Sequence, residues 1–369
     1  MERPIRRIAI NTGGGDAPGL NAVIRSIVLS SLGRGWEVVG IRKGYEGLLD
    51  TSKIIQLDRE SVRGITHLGG TILGTTNRGD PFHYPVKMPD GTQTLTDRSD
   101  EVIQNFNRLR IDALIAIGGD GSMRIAHAFC QKGLPVIGVP KTIDNDLEGT
   151  VITFGFDTAV TVATEALDRL HSTAEAHERV FVVEVMGRYA GWIALNSGVS
   201  ATADVILIPE IPFDIDVVCE KILDREARGR HFAIVVVAEG AKPKGGEMVT
   251  RGPKEADREV RLGGISEHVA AEIQARTGKE TRTVVLGHLQ RGGQPTTFDR
   301  LVALRFGAAA VRLAAQRTFS VMVALDPPRV RAIPLTAAIS RMKNVPLDCD
   351  TVLSARDLGI SFGDQIADE

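Results

Sequence analysis

Residues 113–122 read Ala-Leu-Ile-Ala-Ile-Gly-Gly-Asp-Gly-Ser. Five apolar residues with no polar break suit a strand buried on both faces. The run ends in the glycine-rich turn Gly118-Gly119-Asp120-Gly121-Ser122, and an amphipathic helical stretch follows over 122–132. Such a turn lets backbone N–H groups approach an anion closely, and the helix N-terminus behind it favours negative charge. Strand, turn and helix in this order predict a parallel α/β sheet with ligands at the carboxyl ends of its strands.

Outward from this stretch the same order repeats. Apolar runs rich in Val and Ile lie at 8–10, 37–41, 113–117, 135–139, 180–185, 204–208, 232–238 and 283–287. Helical stretches between them cover 19–33, 101–109, 122–132, 157–173, 214–228, 263–277 and 298–316. Phosphate-type turns in the first half, and a new set of strands after residue 178, predict two such α/β units. Residues 79–100, with Pro81, Pro85, Pro89 and Gly91, break the rhythm and read as a surface insertion or hairpin. Residues 240–263 read as a mobile loop, and the weakly periodic tail after Leu347 as partly disordered.

Composition narrows the function. A formal net charge of −2 gives no general electrostatic footprint for nucleic acid. With 5% aromatic residues, base-stacking platforms are not expected either. Cys130, Cys219 and Cys349 are far apart and lack metal-ligand spacing, which suits a reducing cytoplasm. The apolar stretch behind the basic start is only Ile8-Ala9-Ile10, too short for a signal peptide, and no run approaches the ~20 residues that span a bilayer.

Several segments carry chemistry. Ile8-Ala9-Ile10 runs into Asn11-Thr12-Gly13-Gly14-Gly15-Asp16-Ala17-Pro18-Gly19, a second glycine turn, which suits nucleotide phosphates but would also serve as a packing turn. Asp120 among its glycines suits Mg2+ against donor phosphates, although an Asp in a helix's first turn is common. Residues 139–146 read Val-Pro-Lys-Thr-Ile-Asp-Asn-Asp. If extended, this segment points Thr142, Asp144 and Asp146 to one side, a hydroxyl and two carboxylates in a small volume. Two such carboxylates need a metal or a cation nearby. Asp144 could then accept a proton from an alcohol, with Asp146 supporting metal or water. In isolation the same residues would read as an Asx-rich turn. In the second half, strand ends carry Arg188, His288 and Arg291, and Arg179 and Arg282 flank the same strands. Arg forks suit phosphate oxygens. Glu239 closes another strand beside these cations and suits a sugar hydroxyl or a salt bridge. Together these parts point to phosphoryl transfer.

The chain resembles the 6-phosphofructokinase family over nearly its whole length. The resemblance is carried by Gly14 to Ala22, Gly118 to Ser122, Pro140 to Asp146, Val183 to Arg188 and Val285 to Gly293, five separated segments in the family's order. It implies two Rossmann-like, three-layer α/β domains with the active site in the cleft between them. The donor (ATP/Mg) domain is expected over 1–150, with part of 295–345 returning to it. The fructose 6-phosphate domain is expected over 151–294, with 346–369 as a C-terminal tail. The reaction implied is phosphoryl transfer to the 1-hydroxyl of fructose 6-phosphate. By match to the family pattern, Asp144 is the proton acceptor, assisted by Asp146. Thr142 and Arg188 stabilise the transferring group. Gly14, Arg78, Gly118, Gly119, Asp120, Gly121 and Ser122 take the nucleotide, and Asp120 holds Mg2+. Met186, Gly187 and Glu239 meet the sugar, and Arg179, Arg282, His288 and Arg291 its 6-phosphate. Arg179 and Arg282 match residues that reach in from a neighbouring subunit, so a homodimer or homotetramer with shared active sites is implied.

Gly121 and Lys141 bear on the donor. Gly121 matches ATP users, since Asp at that position would crowd and repel an α-phosphate. Lys141 matches pyrophosphate users. A steric and electrostatic block is absolute, whereas an extra cation can be accommodated, so ATP is the expected donor and pyrophosphate the alternative. Arg78 lies shifted from the arginine of many bacterial members. Leu29 and His171 replace arginines of the bacterial effector site, which implies weak or absent control by ADP and phosphoenolpyruvate of that type. Lipid and NAD kinases share Gly-Gly-Asp-Gly but lack the 142–146 and 287–293 segments. A sugar-phosphate-binding subunit without catalysis would have no reason to keep Asp120, Thr142, Asp144 and Arg188 together. A nicotinamide dehydrogenase would need an acidic ribose partner where Gly40-Ile41-Arg42-Lys43 stands.

Overall fold

In the computed structural model, residues 4–88, 91–250 and 262–365 are described. The chain forms two compact units, each assembled from three segments. The first takes Met1–Thr142, Leu147–Asp157 and Gly292–Met342; the second takes Ile143–Asp146, Thr158–Arg291 and Lys343–Glu369.

The first unit is built on a mixed, mainly parallel sheet. Its strands lie in the order Arg329–Pro334, Val321–Asp326, Val136–Thr142, Ala113–Gly118, Arg7–Thr12, Glu37–Ile41, Ile54–Leu57, and Phe154–Gly155 adds to Val136–Thr142. The five central strands are parallel, and the outermost strand at each side is antiparallel. Alternate side chains of a strand point to opposite faces, so a strand in the middle of such a sheet must be apolar throughout. Ala113, Ile115 and Ile117 pack with helices Leu20–Leu32 and Thr297–Ala315 through Ile24, Ile27, Val302 and Phe306. Leu114 and Ala116 face the other way, toward Val102 and Phe106 of Ser99–Arg108 and Met123 and Phe129 of Asp120–Gln131. The insertion at 79–100 contains the antiparallel pair Tyr84–Lys87 and Gln93–Thr96.

The second unit holds an all-parallel sheet in the order Val205–Leu207, Ala233–Ala238, Val180–Val185, Thr281–Val285. One face packs on helices Ile215–Ala227 and Ile265–Thr277 through Val218, Ile222, Val269 and Ile273. Trp192–Ser200 packs against Val205–Leu207 and Ala233–Ala238. The fold is α/β, as the repeated strand–helix order predicts. Among the described residues, no helix is long and apolar enough to cross a membrane.

Two expectations meet corrections. Past Thr142 the backbone bends at Ile143 and Asp144, and Asn145 is left-handed at φ 52°, so Asp144 and Asp146 do not continue the strand's alternation. Part of the tail is a helix, Asp350–Asp357, which buries Val352 and Ala355. Its two apolar contacts are too few to leave a visible period. Of the 240–263 loop, 251–261 lie outside the described residues; Leu262 closes a bridge to Thr250.

Candidate active site

Three neighbouring strands of the first unit, Arg7–Thr12, Ala113–Gly118 and Val136–Thr142, end on the same edge because they are parallel. The turns after the first two of them join the 74–78 turn in one cradle. The Gly13 N–H donates to the Ile117 carbonyl at 2.9 Å, and the Gly14 N–H to Thr76 at 3.0 Å. Thr75 Oγ1 donates back to the Gly14 carbonyl at 2.6 Å. A Cβ on Gly13 would stand 2.7 Å from Ser122 Oγ, so glycine at 13 is what lets the two turns touch. Lys141 is buried, and its ammonium donates to the Gly15 carbonyl. Three backbone turns and one lysine therefore converge, with Arg78 exposed in the third of those turns.

Asp120 is the first residue of helix Asp120–Gln131, where a carboxylate suits the helix dipole. Arg124 Nε holds it at 2.8 Å, one turn further on. Gly121 has no neighbouring atom within 4 Å of where a Cβ would stand. A side chain there would enter the open space before the cradle rather than the protein. Thr142 ends its strand and is buried, with its carbonyl accepting from Thr153 Oγ1 at 2.8 Å.

In the second unit the carboxyl ends of Val180–Val185, Ala233–Ala238 and Thr281–Val285 bring together Met186-Gly187-Arg188, Glu239 and 287–291. A pocket of about 140 Å³ is lined by Glu184, Val185, Met186, Glu239, Leu262, Val285, Gly287 and His288. Gly187 sits at φ 136°, and a Cβ on it would meet the Ala190 carbonyl at 2.7 Å. Arg188 is left-handed at φ 52°, and its N–H donates to Glu239 Oε1 at 3.0 Å. Burial pushes Glu239 up to about 7, and the carboxylates of Asp144 and Glu184 push the same way against the Arg188 N–H and guanidinium. Asp144 itself is 5% exposed.

The arginines divide. Arg188 lies at the carboxyl end of the sheet, with Arg291 closing the 287–291 turn. Arg179 and Arg282 lie at the opposite end, where both pair with Glu280. The six-residue strand Val180–Val185 separates the two ends by about 20 Å. A single chain thus does not bring Arg179 and Arg282 to the Met186–Arg188 turn along this sheet.

Two buried side chains that hold the pocket were not singled out from sequence. Gln290 is fully buried, and its Oε1 accepts from the Met186 N–H at 2.8 Å. Glu184, a lone carboxylate inside an apolar strand, accepts from the Gly264 and Ser266 N–H groups and from Ser266 Oγ. An acid in the middle of Val183-Glu184-Val185 is itself a signal, because burying it needs dedicated donors.

Comparison with known proteins accords with this geometry. The family described as Phosphofructokinase matches residues 7–314. An ATP-dependent 6-phosphofructokinase of Chloroflexus aurantiacus is 51% identical over 362 residues, 98% of this chain and 99% of that one. The ATP-dependent 6-phosphofructokinase 2 of Clostridium perfringens is 48% identical over 99% of this chain and 100% of that one. Among solved structures, Pichia pastoris phosphofructokinase in the T-state superposes with a TM-score of 0.78 at 30% identity, covering all of this chain and 38% of that one. A pyrophosphate-dependent phosphofructokinase of Marinobacter aquaeolei gives 0.77 at 22% identity over 99% of this chain and 94% of that one, a likeness of fold. The chain belongs to the phosphofructokinase family.

Proposed function

We propose that the protein transfers the γ-phosphoryl group of ATP to the 1-hydroxyl of fructose 6-phosphate, giving fructose 1,6-bisphosphate in cytoplasmic glycolysis. Full-length relatives named for the ATP-dependent reaction support this, at 51% identity. The observation that carries the donor is Gly121, whose missing side chain leaves the mouth of the cradle open. An α-phosphate fits where an Asp carboxylate would repel it.

In this reading Asp144 takes the proton of the 1-hydroxyl as it attacks, with Asp146 assisting. Thr142 and Arg188 stabilise the group in flight, and the backbone N–H groups at the start of helix Asp120–Gln131 orient the remaining phosphates beside the Gly14 turn. One carboxylate together with phosphate oxygens is an ordinary donor set for Mg2+, and Asp120, half-exposed at a helix start beside Arg124, fits it. When bound there, Mg2+ would supply neutralisation of the phosphate charge. Met186, Gly187 and Glu239 hold the sugar, and a protonated Glu239 can donate to a hydroxyl oxygen. His288 and Arg291 bind the 6-phosphate, joined by Arg179 and Arg282 of a neighbouring copy, so the active form is a homodimer or homotetramer.

Lys141 favours a second reading, pyrophosphate as donor. Its ammonium lies at the Gly14-Gly15 turn, where a small, highly charged donor would sit. Initial rates with fructose 6-phosphate and Mg2+ decide between the two, comparing ATP with pyrophosphate at matched concentrations. Turnover with ATP alone is expected. Turnover with pyrophosphate, or with neither donor, would reverse the assignment.

A further inference from the structure

We infer that residues 343–345 form a positioning strap for the Asp144–Asp146 segment, with Lys343, Trp192 and Glu210 as its fastenings. The inference rests on the reading of Asp144 as the base. Every group involved lies within the second unit.

Lys343 arrives from nearly two hundred positions further along the chain and meets the carboxylate segment twice. Its backbone N–H donates to the Asp146 carbonyl at 2.9 Å, and its Nζ donates to Asn145 Oδ1 at 3.3 Å. Its own carbonyl accepts from Trp192 Nε1 at 2.8 Å, and its ammonium lies 5.2 Å from the centre of the Trp192 ring. Two residues on, the Val345 N–H donates to Glu210 Oε1 at 2.9 Å, and the same carboxylate accepts from the Gly191 N–H at 3.0 Å. Gly191 and Trp192 begin the helix that follows the Met186-Gly187-Arg188 turn. The strap thus ties the segment bearing the base to the turn bearing Arg188.

Asn145 explains why a tie is needed. At φ 52° it is left-handed, a conformation that Asn tolerates better than most side chains but that an untethered backbone leaves easily. Release toward an extended or right-handed conformation would swing Asp144 and Asp146 relative to each other. Lys343 grips this residue and the one after it. A base misplaced by about 1 Å can lose up to roughly a hundredfold in rate, so a residue that never meets substrate can still set turnover. Lys343 is a positioning residue in this sense, and its signature is a fall in kcat with KM for fructose 6-phosphate unmoved.

The test uses the full chain, with initial rates at saturating substrates and a thermal unfolding midpoint for each variant. Lys343→Met is expected to lower kcat about tenfold with KM changed by less than about twofold. Lys343→Arg, which keeps a donor for Asn145 Oδ1, should recover most of the loss. Trp192→Phe keeps an aromatic side chain, smaller than the indole, and removes the hydrogen bond to the Lys343 carbonyl; it is expected to cost about threefold in kcat. The decisive comparison is made in an Asp144→Ser background. With the base itself gone, Lys343→Met should change the residual turnover by less than about twofold there. An equal fold-loss in both backgrounds, or parental kcat in a folded Lys343→Met enzyme, overturns the strap. If Lys343→Met does not fold, Trp192→Phe takes its place in both backgrounds, and the same two results overturn the strap. Near-parental turnover of Asp144→Ser alone instead removes Asp144 as the base, and the strap's purpose with it.

Discussion

Glu239 shows how one side chain can couple stability to the site. Its carboxyl is raised from an ordinary 4.5 to about 7, chiefly by burial. Between those values the folded state holds a proton that the unfolded chain has released. Stability contributed by this group is therefore full below about pH 4.5 and falls as pH rises toward 7. Glu239→Gln removes the penalty of ionising a buried acid. Its unfolding midpoint is expected to match the parent's at pH 4.5 and exceed it at pH 8, the difference at high pH being on the order of 3 kcal/mol. A midpoint difference that is the same at both pH values would show that Glu239 ionises normally. Much of the candidate site was readable at this scale. Asp120, Arg188 and Glu239 stand just after an apolar run stops, and Asp144 lies in the polar segment beyond another; polar residues at such points are visible without a structure. Lys343, Trp192 and Glu210 were not readable, because each is an ordinary residue whose meaning comes only from partners far away in sequence.

At the scale of elements, the turns after strands carry the geometry and the strands only deliver them. The Met186–Arg188 turn is the most demanding, with Gly187 at φ 136° and no room for a Cβ beside the Ala190 carbonyl. Gly187→Ala is expected to cost about 1–3 kcal/mol of stability and, by displacing Arg188, about a hundredfold in kcat/KM. Parental kinetics would mean that the turn accommodates a side chain and that Arg188 is placed by something else. Strands such as Ala113–Gly118 were legible because burial on both faces forces an unbroken apolar run. The helix Trp192–Ser200 was not, since Ile193, Ala194, Leu195 and Gly198 are all buried and leave no polar stripe to set a period. Arg329–Pro334 was missed for the opposite reason. It is an edge strand with Arg329 and Arg331 exposed, and its pattern is that of a loop.

The whole molecule poses a question of assembly. Arg179 and Arg282 stand about 20 Å from the Met186–Arg188 turn along the same sheet. If they serve another copy's substrate, two inactive variants should complement each other. Arg282→Ala keeps its base but needs a partner's arginine, which Asp144→Ser supplies. Mixed and reassembled, the pair is expected to recover about a quarter of parental activity, for random pairing into dimers with one repaired site per hybrid. A mixture no more active than its components would confine Arg282 to its own chain or exclude it from the site.

The interleaving of the two units has a consequence for synthesis on the ribosome. Strand Val136–Thr142 emerges early, but its neighbour Val321–Asp326 is translated roughly 185 residues later. At about 5–20 residues per second, that is a wait of about 10–40 s with a sheet edge uncovered. The second unit waits longer still, since its Ile143–Asp146 segment meets Lys343 only after almost all of the chain has been made. Neither unit can finish folding as a nascent domain while the other is translated. Any single cut of the chain between the units therefore leaves both halves incomplete.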